Sequence, residues 1–120
     1  MISFKNILQQ VVEGVPKSLA AMIIGKDGIA VESYQAAGPG LDLEMLGAEY
    51  VQVMSEVYKL VSIFHLEELR DITIVLHDLK IIIHLISEGY YFIHFLESDS
   101  NEALGRYRTR VGSLRLRELL

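Results

Sequence analysis

The chain has 120 residues, of which 51% are hydrophobic and 22% are charged, with two prolines and no cysteine. This length fits one domain with one core, and the composition excludes a disordered chain, a disulfide framework and a thiolate metal or redox site. The net charge of −5 argues against a general nucleic-acid binder. We expect a single domain over residues 1–120 and, because the N-terminal residues lack the pattern of a secretory signal, a cytoplasmic protein.

The first predicted elements are a helix and a β-hairpin. Ser3 is a suitable N-cap, and apolar residues recur at helical spacing up to Gly14, which predicts a helix over residues 3–13. Aliphatic runs at 19–24 and 29–34 flank a turn signal and predict two strands. The segment 36–40, with the sequence AAGPG, predicts a loop.

A long helix is predicted next, with Asp42 as its cap. Its apolar stripe is wider than one sheet face requires, so the helix is either deeply buried in the monomer or partly covered by another chain. The stripe consists of Leu43, Leu46, Tyr50, Val53, Val57, Leu60 and Phe64, and it is widened by Met54, Tyr58 and Val61.

The rest of the chain predicts a three-stranded meander over 72–77, 80–86 and 90–96, followed by a helix. The two later strands are apolar at nearly every position, which indicates a sheet covered on both faces. In the last helix Leu104, Tyr107, Val111 and Leu114 recur at helical spacing, and Gly105 and Gly112 permit close approach to the sheet. The predicted fold class is an α+β sandwich in the order α-β-β-α-β-β-β-α, with a five-stranded antiparallel sheet between helices.

The stretch Gly25-Lys26-Asp27-Gly28 is a candidate phosphate or calcium loop. A P-loop needs Ser or Thr after its Gly-Lys pair and a helix after that, whereas here Asp27 and a predicted strand follow. A calcium loop needs oxygen ligands at the positions that Ile29 and Val31 occupy. We therefore interpret the stretch as a hairpin turn.

The histidines His65, His77, His84 and His94 form a metal site only if they converge. A two-residue turn after the fourth strand pairs residue 84 with 93 and places His84 and His94 on opposite faces. A three-residue turn pairs 84 with 92 and places both histidines on one face. The sequence leaves both registers open, and we expect neither a metal nor a cofactor.

Catalytic motifs are equally weak. There is no G-x-S-x-G elbow, and the carboxylates Glu67, Glu68 and Asp71 are interpreted as a solvated turn. The apolar run 79–98 is interrupted by Lys80, His84 and other polar residues, so a membrane-spanning helix is not expected. Five arginines near the C-terminus suggest either a solvated helix face, which we favour, or a docking surface for an acidic partner or anionic lipid. These arginines are Arg106, Arg108, Arg110, Arg115 and Arg117.

The assembled pattern resembles the roadblock/LC7 domain family and, within it, the short bacterial MglB-like proteins. The resemblance is carried by FKNILQQVV in the first helix, by VP ahead of LAAMIIGKDGIAV, by LDLEMLGAE at the start of the long helix, and by the meander with its final helix. It covers essentially the whole chain. One departure is Lys17-Ser18 after Val15-Pro16, where many relatives have a glycine.

This resemblance implies a profilin-like, non-enzymatic domain that forms a homodimer and binds a Ras-like, MglA-like small GTPase. MglB-like relatives promote GTP hydrolysis by reshaping the GTPase without donating a catalytic residue. In such dimers the third strands pair edge to edge and the long helices pack together. The implied interface contains Asp71, Ile72, Thr73, Ile74, Val75, Leu76, His77, Val53, Val57, Leu60 and Phe64. The expected partner-binding residues are Glu49, Gln52, Glu56 and Lys59.

Two alternative functions stay open from the sequence. The first is a small-molecule or metal-binding sensor that uses the histidine-bearing meander, and the second is a purely structural subunit of a larger complex.

Overall fold

The computed structural model describes residues 2–36, 40–63 and 69–120. The five strands form one antiparallel sheet in the order β2-β1-β5-β4-β3. The predicted fold class and order of elements are confirmed. In chain order the elements are α1 (Phe4–Glu13), β1 (Ser18–Gly25), β2 (Ala30–Gln35), α2 (Leu43–Ile63), β3 (Asp71–Val75), β4 (Leu79–Ser87), β5 (Tyr90–Glu97) and α3 (Glu102–Leu119).

Helices cover both faces of the sheet. α1 and α3 contact each other and share one face, and α2 packs mainly over β1 and β2 on the other. Alternate residues of β4 and β5 therefore enter two different cores, as Ile81 and Ile83 do on the α2 face and Phe92 does on the α1/α3 face. This double burial is the reason that β4 and β5 are apolar at nearly every position.

Polar caps define where the helices begin. Ser3 and Asn6 form a reciprocal capping box at the start of α1. Asp42 Oδ1 accepts a hydrogen bond from the Met45 amide at 3.2 Å, and Asn101 Oδ1 accepts one from the Leu104 amide at 3.0 Å. These side chains satisfy amides that have no partner within the helix. The predicted first helix and the predicted Asp42 cap are thereby confirmed. Of the predicted loop at 36–40, residues 37–39 lie outside the described part of the chain.

α3 packs against the sheet mainly through small residues. Of the apolar residues that recur at helical spacing in α3, Tyr107 and Leu114 are more than half exposed. The predicted close approach to the sheet at the two glycines is confirmed, since a Cβ on Gly105 would lie 3.0 Å from Leu96 and one on Gly112 would lie 3.2 Å from Phe92. The buried residues of α3 are Gly105, Thr109, Gly112, Ser113 and Leu116.

The β4–β5 hairpin resolves the open question of register. His84 pairs with Phe92, and Ile82 pairs with His94, so both histidines point to the α1/α3 face. The turn itself has two residues, because Ser87 pairs with Tyr90 across it. A register shift between Leu85 and Ser87 adds one bulged residue, and the hairpin thereby reaches the register that a three-residue turn would give.

Lys17, just before β1, has a φ of +67°, a left-handed backbone conformation that favours glycine. Its carbonyl accepts a hydrogen bond from the Glu97 amide at 2.9 Å, and its ammonium pairs with the Asp99 carboxylate. The side-chain hydrogen bond from the Lys17 ammonium holds the pKa of Asp99 below its usual value.

Candidate interaction surface

α2 approaches the sheet closely at one position. A Cβ added to Gly47 would lie within 3 Å of side-chain atoms of Met22 and Ile24, so glycine lets the helix backbone rest on β1. The residues that α2 buries are Leu43, Gly47, Val51 and Met54, which recur at helical spacing. Sequence reasoning missed Gly47 and Val51 as core residues, because neither belongs to the most hydrophobic stripe.

The predicted apolar stripe of α2 is split by the fold. Leu43 lies in the core and Val57 is half-buried, but Val53 and Leu60 are 41% and 56% exposed. Leu46 and Tyr50 are also half-buried, and both pack against the core. Within one chain the stripe is therefore only partly buried, and the apolar excess that the sequence indicated is present as an exposed flank. Phe64, the last residue of the predicted stripe, lies outside the described residues.

The four polar residues predicted to bind a partner lie along this exposed side of α2. Glu49, Gln52 and Glu56 line an open groove of about 800 Å³ between α2 and the β1–β2 turn. Lys59 lies 3.1 Å from Glu56 and borders an adjoining depression of about 420 Å³. The groove thus combines the carboxylates of Asp27, Glu49 and Glu56 with apolar residues, including Val53 and Leu60.

β3 is one edge of the sheet, at the opposite end of the strand order from β2. It pairs with β4, and no second strand partner is present within residues 2–36, 40–63 and 69–120. Ile72 and Ile74 pair with Ile83 and Ile81, and they are half-buried on the α2 face. Asp71 and Thr73, the alternate residues of the strand, are directed to the α1/α3 face.

The end of β3 differs from the prediction. The strand was expected to reach residue 77, but it ends at Val75, which is 59% exposed. Leu76 and His77 belong to the turn before β4, because the Leu76 amide already bonds the Leu79 carbonyl at 2.7 Å. His77 is exposed and lies 3.7 Å from Asp78. Both residues thus follow the end of β3 in this chain.

The hairpin tip at residues 25–28 is a turn, as predicted. Gly28 has a φ of +85°, and Asp27 Oδ1 accepts a hydrogen bond from the Ile29 amide at 3.0 Å. Lys26 Nζ lies 5.3 Å from the centre of the Tyr58 ring in α2, within range of a cation–π contact. The tip therefore forms one wall of the α2 groove.

The histidines of the meander are held in internal hydrogen bonds. His94 is fully buried, with Nε2 2.9 Å from the Ser18 hydroxyl and Nδ1 3.0 Å from the Thr109 hydroxyl. Since Thr109 donates its proton to the Gly105 carbonyl at 2.7 Å, it accepts from Nδ1–H, and Nε2 accepts from Ser18. Burial lowers the pKa of His94 from 6.5 to about 4.

His84 Nδ1 lies 2.8 Å from the Ser113 hydroxyl, and burial likewise lowers the pKa of this histidine. The Ser18 and Thr109 hydroxyls bond both ring nitrogens of His94, which leaves this residue no nitrogen for a metal. Among the described residues no three His, Asp or Glu side chains are grouped as a metal site. His65, Glu67 and Glu68 lie outside those residues.

None of the described helices combines the length and hydrophobicity that crossing a membrane requires.

No protein-family model and no curated protein sequence matches this chain.

Solved structures match it over nearly its whole length. MglC from Myxococcus xanthus has 27% sequence identity and a TM-score of 0.73, and the match covers 99% of this chain and 100% of MglC. A roadblock/LC7 domain from Streptomyces avermitilis has a TM-score of 0.86 at 13% identity, with 96% and 95% of the two chains covered. MglB from Myxococcus xanthus has a TM-score of 0.86 at 10% identity, with 97% and 93% covered. The similarity therefore extends over the complete series of helices and strands.

Proposed function

Because this chain has the roadblock/LC7 fold and resembles MglB and MglC, we propose that it is a non-enzymatic homodimer that binds and regulates a Ras-like small GTPase. The observation that carries the proposal is the open α2 side of the molecule, where an exposed apolar helix flank lies beside a polar groove. A regulator needs such a surface, and it needs no catalytic constellation of its own.

The geometry of β3 supports the homodimer. An edge strand with exposed N–H and C=O groups readily pairs with a second strand, and two antiparallel copies of one strand satisfy each other around a twofold axis. Pairing at residues 71–75 would bring the half-buried Ile72 and Ile74 of each copy against those of the other. The same association would cover the exposed flank of α2 at Val53 and Leu60.

The α2 groove supports the choice of a protein partner. Beside the flank that the dimer would cover, its lining carries Glu49, Gln52 and Glu56 from α2, and Lys26 and Asp27 from the hairpin tip, which are the charged and polar residues typical of the rim of a transient protein interface. A GTPase bound there would be acted on by contacts that reposition its own switch regions. We further propose that these contacts accelerate GTP hydrolysis, in the cytoplasm where such a GTPase works.

A binding and turnover experiment tests this function. The purified protein is mixed with an MglA-like GTPase loaded with GDP or with a non-hydrolysable GTP analogue, and both affinity and GTP hydrolysis rate are measured. We expect preference for one nucleotide state and faster hydrolysis. Equal or absent binding to the two states, together with an unchanged hydrolysis rate, refutes the proposed function.

Two variants localise the contact. Glu56→Lys reverses a groove charge and is expected to weaken GTPase binding about tenfold, because a rim charge sets complementarity with the partner. Glu118→Lys makes the same charge change on the exposed surface of α3 and is expected to have no effect on binding. Sedimentation of both variants separates a lost partner contact from a lost dimer.

A further inference from the structure

A second cleft, of about 630 Å³, lies on the opposite side of the sheet edge from α2. It is enclosed by α3, by the β4–β5 turn and by the residues that lead into β3. Arg110 and Arg117 project into it from α3, Arg70 borders it ahead of β3, and Ser87 and His84 line it from β4. The cleft is therefore polar and rich in arginine, in a chain whose net charge is −5.

Four of the five arginines of α3 divide into two groups by helical spacing. Arg108 and Arg115 lie on the flank beside α1, where Arg115 pairs with Gln10 and Arg108 lies over the Tyr107 ring. Arg110 and Arg117 lie on the flank beside β4, seven residues and two helical turns apart. The basic C-terminal segment thus serves two different surfaces, and one of them is the cleft.

Arg117 is already oriented for binding. Its Nε donates a hydrogen bond to the Ile86 carbonyl at 2.7 Å, which fixes the guanidinium plane and leaves the terminal amino groups for another acceptor. Asp71 at the rim lies 3.6 Å from Arg106, so part of its charge is balanced from outside the cleft. Fixing a side chain in advance reduces the entropy lost when an anion binds.

The charges that face His84 describe the field inside the cleft. Burial is the main cause of its lowered pKa, Asp71 opposes the shift, and Arg117 and Arg110 add to it. The described lining residues carry three arginines against the two carboxylates Asp71 and Glu88. Because single carboxylates are already present at the rim, a ligand gains most if it carries two negative charges and several acceptor oxygens.

We propose that this cleft binds a phosphate group, held by the guanidinium groups of Arg110 and Arg117 with Arg70 and the Ser87 hydroxyl as further donors. Arginine forks match the oxygen geometry of phosphate, and the hydroxyl supplies a short neutral hydrogen bond. The phosphate belongs either to a small phosphorylated molecule or to a phosphorylated side chain of a partner. This site is separate from the α2 groove and does not depend on the GTPase proposal.

An NMR titration of the intact protein tests the site. Inorganic phosphate is added at constant ionic strength while the His84 Cε1–H resonance is followed, with acetate as the monovalent control. We expect saturable binding of phosphate and a raised pKa of His84, because a nearby anion favours the imidazolium form. Acetate is expected to bind about tenfold more weakly than phosphate.

A matched pair of variants distinguishes a site from general charge screening. Arg110→Gln is expected to weaken phosphate binding about tenfold, while Arg108→Gln removes the same charge from the other flank of α3 and leaves binding within about twofold. Both residues are exposed, so circular dichroism should show an unchanged fold. Two results overturn the proposal. One is a titration that does not saturate up to about 20 mM phosphate, which is far above the dissociation constant expected of charge-assisted bonds. The other is an equal loss of phosphate binding in the two variants.

A phosphoserine peptide and pyrophosphate identify the source of the group. Tighter binding of the phosphoserine peptide than of inorganic phosphate supports a site for a phosphorylated partner. Tighter binding of pyrophosphate supports a site for a small phosphorylated molecule.

Discussion

The α1/α3 face and the α2 face of the sheet bury their strand residues equally well, but the helices that cover them differ in what they leave outside. On the α1/α3 face, small residues of α3 seat the helix against the sheet, and the buried His94 has a hydroxyl partner at each ring nitrogen. On the α2 face, Met22 and Ile81 are fully buried, but the helix above them exposes Val53 and Leu60. The strand residues of both faces are thus covered within one chain, and in our proposal a second chain covers the exposed flank of α2.

The largest effect is expected in the core of the α1/α3 face. Phe92 is fully buried against Gly112, so Phe92→Ala should lower the free energy of unfolding by about 3–5 kcal/mol through lost burial and the cavity left behind. Urea unfolding measures the change. Leu114→Ala, on the exposed side of α3, is the control and should cost less than about 0.5 kcal/mol. A loss below about 1 kcal/mol in the Phe92 variant would show that this face is not tightly packed.

The next effect concerns pH and the same face. The pKa of His94 is about 4 in the folded chain and 6.5 ordinarily, so below pH 6.5 the unfolded chain takes up a proton that the folded chain refuses. Stability should therefore fall as the pH falls from 6.5 to 4, by about 3 kcal/mol in total.

Chemical unfolding at several pH values checks this. His94→Gln should flatten the dependence, whereas His77→Gln, on an exposed turn, should leave it unchanged. His84 contributes with the same sign, because burial lowers its pKa too. An unchanged slope in the His94 variant would place the acid sensitivity elsewhere.

The third effect addresses the α2 face and the strand edge. Ile74→Lys puts a charge at the seam where two β3 strands would meet, and it should weaken dimer association by about 2 kcal/mol, or roughly thirtyfold. Sedimentation over a concentration series measures this. Ile29→Lys, on the exposed hairpin tip, is the matched control and should leave association unchanged. A wild-type mass of 13.6 kDa at all concentrations would contradict the dimer itself.

The sequence predicted the order of the elements because each has a local cause. The Ser3 cap, the Asp27-Gly28 turn and the continuous apolar runs of β4 and β5 act over a few residues and need no knowledge of the rest of the fold. The same local signals also excluded a phosphate or calcium loop at the hairpin tip. Short-range chemistry thus sufficed for the architecture.

The placement of helix faces was harder to predict, because hydrophobicity does not determine which side of a helix approaches a sheet. α2 and α3 come closest to the strands at Gly47, Gly105 and Gly112, residues that score low on any apolar scale. The more hydrophobic Leu60 and Leu114 are left outside. Likewise, the bulge before Ser87 determines toward which face of the sheet His84 and His94 point, and no residue near the bulge predicts this shift of register.

Lys17 has a practical consequence for mutational scanning of this chain. The strain at this position lies in the backbone, while the side chain tethers the residue to Asp99. An alanine substitution would keep the strain and remove the tether, so its effect isolates the value of the lost ion pair. A glycine substitution would remove the same tether and also relieve the strain at a φ of +67°, so the difference between the two variants gives the backbone strain.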